Sequence, residues 1–141
     1  MIAARAQIEG LIPHAGRMCL LDELLACGPE HIECLARSHL APDNPLRVAG
    51  ALPGVCGIEY AAQAMALHGR LNSQSSTSRG GLLASIRDLT CHAARLDAIR
   101  ADLLIGARRL MGDEARVVYA FSLSAGGRLL LEGRAAVILG S

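Results

Sequence analysis

Apolar and polar positions change their rhythm along the chain, and the changes mark out its elements. Residues 19–27 are apolar around the polar step Asp22-Glu23 and stop at Gly28-Pro29. From His31 to Ser38 the pattern alternates. Ile32, Cys34 and Ala36 fall on one side, and His31, Glu33 and Arg37 nearer the other. A period of two predicts strands, and Gly-Pro predicts the turn that joins them. Leu11 to Met18, broken by Pro13 and Gly16, reads as a loop, and Ala41 to Gly50, with Pro42 and Pro45, as a long irregular connection.

After Pro53-Gly54 the rhythm becomes helical. Val55 to Leu71 contains no proline, and Ile58, Ala61, Ala62, Met65 and Ala66 keep helical spacing. Leu67 and the remaining alanines leave hardly any polar face, which predicts a buried helix. Asn72 to Gly81 is a polar Ser/Thr/Gly-rich loop. Strand-like runs follow at Leu82–Cys91, Ala101–Leu110, Arg116–Ser124 and Arg128–Leu139, with turns at residues 111–114 and at Ala125-Gly126-Gly127. Leu129 to Leu131 and Ala135 to Leu139 are apolar at adjacent positions, as in a central strand buried on both faces. Two strands, one apolar helix and a strand meander predict an α+β domain over residues 1–141, in which a curved antiparallel sheet wraps one long central helix.

Composition narrows the classes of function. The chain has 141 residues, 52% of them apolar and 19% charged, which predicts one packed domain. Aromatics are 2%, so Leu, Ala, Val and Ile must build the core. All fourteen basic residues are arginine, and the formal net charge is +1 with the two signs interspersed. No basic block stands beside stacking aromatics, which argues against nucleic acid, although arginines can steer an acidic protein partner. No apolar run is long enough to span a bilayer and the first ten residues lack signal-peptide character, so a soluble cytoplasmic protein is expected. Cysteines 19, 27, 34, 56 and 91 are odd in number and lack metal or redox spacing, so buried reduced thiols and no metal site are expected.

Glu59 is the sharpest chemical feature, a carboxylate in the first turns of an almost wholly apolar helix. Burial raises a carboxyl pKa and makes a general acid; alternatively, Glu59 faces solvent or complements the helix dipole. Gln63 stands four residues on, sharing its face. The small residues around Cys56 and Gly57 open the helix, where free backbone N–H groups could polarise a carbonyl. Cys56 could also be a lowered-pKa thiol at a helix N-terminus, though Val55 and Ile58 point to a packed position. His14 and His39 lie in irregular segments, where catalytic groups are often displayed. His68 reads as structural, and His31 and His92 as exposed.

The stretch from Leu52 to Met65, with Pro53-Gly54, then Glu59 and Gln63, resembles the central helix of 3-hydroxyacyl-ACP dehydratases of the FabA/FabZ type. Residues 11–22, with Pro13-His14 and Leu20-Leu21-Asp22, resemble the family's opening loop, and residues 83–88 the strand after the helix. The motifs stand in family order over nearly the whole chain, and the match is to the branch found with aryl-polyene polyketide pathways. The resemblance implies a hotdog fold, a homodimer or a heterodimer with a related hotdog dehydratase, and an acyl chain delivered on the phosphopantetheine arm of acyl carrier protein. It implies a cofactor-independent lyase making a trans-2-enoyl thioester for fatty-acid or polyketide synthesis. The housekeeping members place a His-Phe-Pro segment ahead of the helix, but here the position fourteen before Glu59 is Pro45. His14 is therefore expected as base and Glu59 as acid, with Gly57, Gln63, Cys56 and His39 around the substrate, His39 also being the reserve base. Two other readings stand: a hotdog acyl-thioester hydrolase in which Glu59 activates water, and a non-catalytic hotdog subunit that supports an active partner.

Overall fold

The computed structural model describes residues 1–13, 16–72 and 81–139. The elements in chain order are β1 (Ala3–Ala4), α1 (Arg5–Glu9), β2 (Glu23–Cys27), β3 (His31–Ala36), α2 (Gly57–Leu71), β4 (Gly81–Cys91), β5 (Leu103–Gly112), β6 (Arg116–Ala125) and β7 (Arg128–Leu139). The strands form one antiparallel sheet in the order β1-β2-β3-β5-β6-β7-β4, open at both edges.

Period-two patterning places the core. Ile32, Cys34 and Ala36 on β3, Leu103 and Ile105 on β5, and Val117, Tyr119, Phe121 and Leu123 on β6 turn the same way and are buried. α2 lies on this face and packs mainly against β3, β5 and β6. Bulges interrupt every sheet pairing except those of β1 with β2 and β3 with β5. Each bulge adds local twist and bend, which curls the sheet around the helix. The β6–β7 turn is tight because Gly126 and Gly127 both take positive φ, 58° and 79°. At the β5–β6 turn, Asp113 Oδ1 accepts the N–H groups of Ala115 and Arg116, bonds that hold its carboxyl below the usual carboxylate range.

Several expectations are corrected. The strand expected over residues 19–27 begins only at Glu23, because residues 19–22 leave the sheet to bury Cys19, Leu20 and Leu21 in irregular backbone. The central helix begins at Gly57, preceded by a tighter turn over Gly54–Cys56. α1 was not anticipated; it is one turn with a single buried anchor, Ile8. β7 is flanked on both sides, yet Leu129 and Ile138 on its outer face are 37% and 47% exposed. The thiols are all free, but Cys91 is exposed rather than buried. Most of the Ser/Thr-rich loop, residues 73–80, lies outside the described residues. Among the described residues no helix is long and apolar enough to cross a membrane.

The helix is not enclosed. Tyr60, Ala61, Ala64 and Leu67 are fully buried, but Ile58, Ala62 and Ala66 are only half-buried and Glu59 is exposed. Spacings of three and four carry these residues along one side of α2, which the single chain leaves uncovered.

Candidate active site at the start of the central helix

Two close approaches seat the start of α2. A Cβ on Gly54 would stand 1.8 Å from the carbonyl oxygen of Ala93, and one on Gly57 2.8 Å from Leu131 Cδ2 and 3.0 Å from Leu123 Cδ2. Glycine at 54 lets the turn cross the 93–97 segment, and glycine at 57 lets the helix settle on β6 and β7. The crossing is stitched by backbone bonds from Gly54 N to Ala94 O and from Leu96 N to Leu52 O, at 2.9 and 2.8 Å. Leu52 N–H also donates to Asp97 Oδ1 at 2.8 Å. Asp97, its side chain 8% exposed, is gripped by Arg95 and stands 3.8 Å from Arg47 Nη1. The Arg95 guanidinium holds the Asp97 carboxyl far below the usual carboxylate range.

The Gly57 amide, expected to be free for a carbonyl, donates to the Gly54 and Val55 carbonyls inside the turn. Cys56 N–H is likewise given to Pro53 O. The Cys56 thiol is half-buried, and its pKa is raised by burial and then by the nearby Glu59 carboxylate. The helix start therefore does not activate it, and the lowered-pKa thiol reading is corrected.

Glu59 projects from the uncovered side of α2 and is exposed in the single chain. Gln63 turns inward and is 2% exposed. Its Oε1 accepts Leu20 N–H at 2.8 Å and its Nε2 donates to Met18 O at 2.6 Å. His14 lies outside the described residues, but the chain that follows it is fixed: Arg5 Nη2 donates to Gly16 O at 2.9 Å, and Gln63 holds Met18 and Leu20.

A buried polar cluster extends this anchorage. The Tyr60 hydroxyl shares a 2.9 Å hydrogen bond with Ser38 Oγ and accepts from Asn44 Nδ2 at 3.1 Å. Ser38 Oγ donates to Leu20 O at 2.7 Å, and Asn44 Nδ2 also donates to Ser38 O at 2.9 Å. Helix, opening segment and the 38–46 connection thus meet at one hydroxyl. Sequence reasoning missed Ser38, Asn44 and Asp97; the one available signal was Tyr60, a polar tip inside an apolar helix.

His39 is not on an open loop. It is fully buried in a short turn, and its Nε2–H donates to Ile99 O and Ala101 O at 2.9 and 3.1 Å. That tautomer leaves Nδ1 unprotonated, buried and without a partner among the described residues. Burial lowers its pKa, so the ring is neutral but shut away from bulk water. His68 is structural, as expected: Nδ1 accepts from the Tyr119 hydroxyl at 2.8 Å and Nε2 donates to Gly28 O at 2.9 Å. Among the described residues no group of three or more His, Cys, Asp or Glu could hold a metal ion.

One long helix laid on the curved face of an open antiparallel sheet defines the class: this is a hotdog fold. Solved structures agree. The chain is similar to the dehydratase heterocomplex ApeI:P from Xenorhabdus doucetiae, with 24% identity and a TM-score of 0.83, covering 95% of this chain and 91% of that one. It is similar to thioesterase superfamily member 2 of zebra fish, with 18% identity and a TM-score of 0.69, covering 96% and 95%. A hypothetical thioesterase protein with coenzyme A from Streptococcus pneumoniae follows at 12% and 0.63, covering 84% and 85%. At such identities the likeness establishes the fold alone. No curated protein matches the sequence. The ApeP dehydratase family model matches residues 6–140, and the chain belongs to the ApeP-like dehydratases.

Proposed function

We propose that this dehydratase converts a 3-hydroxyacyl thioester on acyl carrier protein into the trans-2-enoyl thioester, in fatty-acid or aryl-polyene-like polyketide synthesis. One observation carries the reading. Gln63, one turn beyond Glu59, bonds Leu20 N and Met18 O, so the helix that presents Glu59 also fixes the chain leaving His14. Two proton-transfer groups on connected, rigid supports are what a syn or anti elimination of water requires.

In this mechanism a neutral His14 takes the proton from Cα, and the electron pair forms the Cα–Cβ double bond as the Cβ–O bond breaks. Glu59, in its carboxylic acid form, gives its proton to the departing hydroxyl, which leaves as water. The proton on His14 returns to Glu59 through solvent, and no electrons enter or leave. Gln63 positions both supports without reacting. Gly57 and Cys56 contribute a small-residue wall.

A second hotdog subunit, identical or related, completes the site. Support comes from the uncovered side of α2, where Ile58, Ala62 and Ala66 flank Glu59, and from β4, an edge strand of eleven residues with β7 on one side only. The similar ApeI:P protein is a heterocomplex.

The test is intact-protein mass spectrometry of a 3-hydroxyacyl carrier protein incubated with the wild type and with Glu59→Gln. Loss of one water with the wild type alone supports dehydration with Glu59 as acid. Release of free hydroxy acid would mark a hydrolase instead. Dehydration that needs a co-purified hotdog subunit, and survives Glu59→Gln, would mark this chain as the supporting partner.

A further inference from the structure

The outer face of the sheet, turned away from α2, carries charge in rows rather than scattered. Cross-strand partners share a face, so the pairing register reads directly across the sheet. One row runs His31, Arg108, Ala120, Arg134, Arg87, from β3 through β5, β6 and β7 to β4. The next row, two residues along each strand, runs Glu33, Gly106, Ser122, Glu132. Outside these lie two largely apolar rows. Leu35, Leu104, Ser124 and Leu129 flank the acidic row, and Met111, Val118 and Ala136 flank the basic one. Along β6 the order is therefore apolar, basic, acidic, apolar, at Val118, Ala120, Ser122 and Ser124.

Placing Arg134 directly opposite Arg87 on neighbouring strands is unfavourable within the chain. The intramolecular relief is slight: Arg134 Nε is 4.0 Å from Asp88 Oδ2, with the two side chains 62% and 75% exposed. Large apolar groups also stand out on the face, Leu104 at 38%, Met111 at 66% and Leu129 at 37% exposed. Four arginines, Arg87, Arg108, Arg134 and, at the end of β6, Arg116, stand against the acids Glu33, Asp88 and Glu132, so the charges nearly cancel and the face is no polyanion footprint. Its charge is segregated, not excessive.

We propose that this face docks a second copy of the chain, outer sheet against outer sheet. The two-fold axis crosses the strands between the Ala120 and Ser122 rows. An apolar-basic-acidic-apolar order is self-complementary under that rotation, as an isologous interface demands. Arg134 then meets Glu132 of the second copy, twice over. Arg108 stands over Gly106 of the second copy, within diagonal reach of its Glu33, and Leu104 meets its Met111. Ala120, Ser122 and Gly106 at the centre are small enough for two sheets to approach at the spacing of about 10 Å that stacked sheets adopt. Four strand spacings by seven residues cover about 450 Å² per copy, or roughly 900 Å² in all, so the association is weak and concentration-dependent. It leaves α2 and the β4 edge free and is separate from the contact that completes the active site.

The experiment is the particle mass of the full chain, by light scattering on a sizing column and by native mass spectrometry, across a dilution series. The expected result is a wild-type particle that halves in mass on dilution, and that is already halved at high concentration in Arg134→Glu and in Glu132→Arg. The double variant Arg134→Glu/Glu132→Arg, which reverses the same pair, is expected to restore the wild-type mass. Leu104→Asp, which touches neither charged row, should halve the mass as well. Equal masses for the wild type and the single variants at every concentration would overturn the proposal. So would a double variant that stays halved, or Arg134→Glu weakening retention on heparin while leaving the mass unchanged.

Discussion

Gln63 and Leu20 are joined by a buried hydrogen bond of 2.8 Å that spans 43 residues of sequence and couples the central helix to the chain leaving His14. The same amide donates to Met18 O at 2.6 Å, so both ends of the Gln63 side chain are spent on backbone. An amide is suited to this task because it offers one acceptor and one donor at once. The bond to Leu20 N–H is buried, Leu20 being 2% exposed, whereas the bond to Met18 O is only partly so. The contact therefore serves the fold and the proposed chemistry together.

Gln63→Ala should lower stability by about 1–3 kcal/mol, since a buried N–H and a carbonyl lose their partners. The midpoint of thermal unfolding should drop by several degrees. If His14 and Glu59 act as proposed, turnover should fall further than this loss predicts, with KM little changed, because the chain at Met18–Leu20 loses its tie to the helix that carries Glu59. Stability that falls with kcat intact would confine Gln63 to a packing role.

The two glycines at the helix start should differ sharply. In Gly54→Ala the new Cβ meets a backbone carbonyl at 1.8 Å, and neither side can yield without moving the 93–97 segment. In Gly57→Ala the obstacles are the methyl ends of Leu131 and Leu123, at 2.8 and 3.0 Å, which can rotate away. Denaturant unfolding should show Gly57→Ala weakened by about 1–3 kcal/mol, the usual overpacking cost. Gly54→Ala should be weaker still or fail to accumulate as folded protein. The reverse order would mean that helix seating on β6 and β7, not the crossing at Ala93, limits the site.

What the sequence revealed was what local pattern controls. β2 and β3 were legible from Ile32, Cys34 and Ala36, the β6–β7 turn from Gly126-Gly127, and α2 from its alanine spacing. Gln63 stood out as a polar residue among alanines, but its direction was not legible: it turns inward at 2% exposure instead of sharing a face with the exposed Glu59. The exposure of Glu59 was not, because the helix is apolar all round while a single chain covers only part of it. The Ser38–Asn44–Tyr60 cluster escaped because its bonds join residues 16 and 22 apart, through a segment whose prolines read only as irregular. The resemblance to FabA/FabZ-type dehydratases pointed to the family that the comparisons show. It said nothing of Asp97, which acts through Leu52 N–H and lies outside every motif.

Stability should fall in two separate acid windows. Burial lowers the pKa of His39 and His68, so near pH 6 the unfolded chain binds more protons than the folded one. Their contribution is complete above the unfolded value of about 6.5 and is lost as pH falls below it. Asp97 and Asp113 are also lowered, but from a carboxylate's ordinary range, so their contribution is complete above about pH 4 and is lost only below that. Urea midpoints should decline between about pH 7 and 5, and the decline should be shallower in His68→Gln. A midpoint flat across that range would mean that the two rings keep their solution pKa in the fold.

Cys56→Ala should keep its activity within about twofold. The thiol stands where a catalytic cysteine would be expected, at the start of a helix and three residues before Glu59. Yet burial and the Glu59 carboxylate both raise its pKa, so near neutral pH the thiol form prevails and the nucleophilic thiolate is scarce. The thiol donates a long bond to Leu46 O at 4.0 Å, a carbonyl that cannot take up the proton as a base would. The side chain also accounts for little core volume, which limits the expected stability loss to about 1 kcal/mol. Measured turnover on a 3-hydroxyacyl carrier protein separates the two chemistries. An elimination run by His14 and Glu59 is indifferent to the sulfur, whereas a collapse of turnover in a folded Cys56→Ala would require an acyl-enzyme route and would remove Glu59 from the acid role.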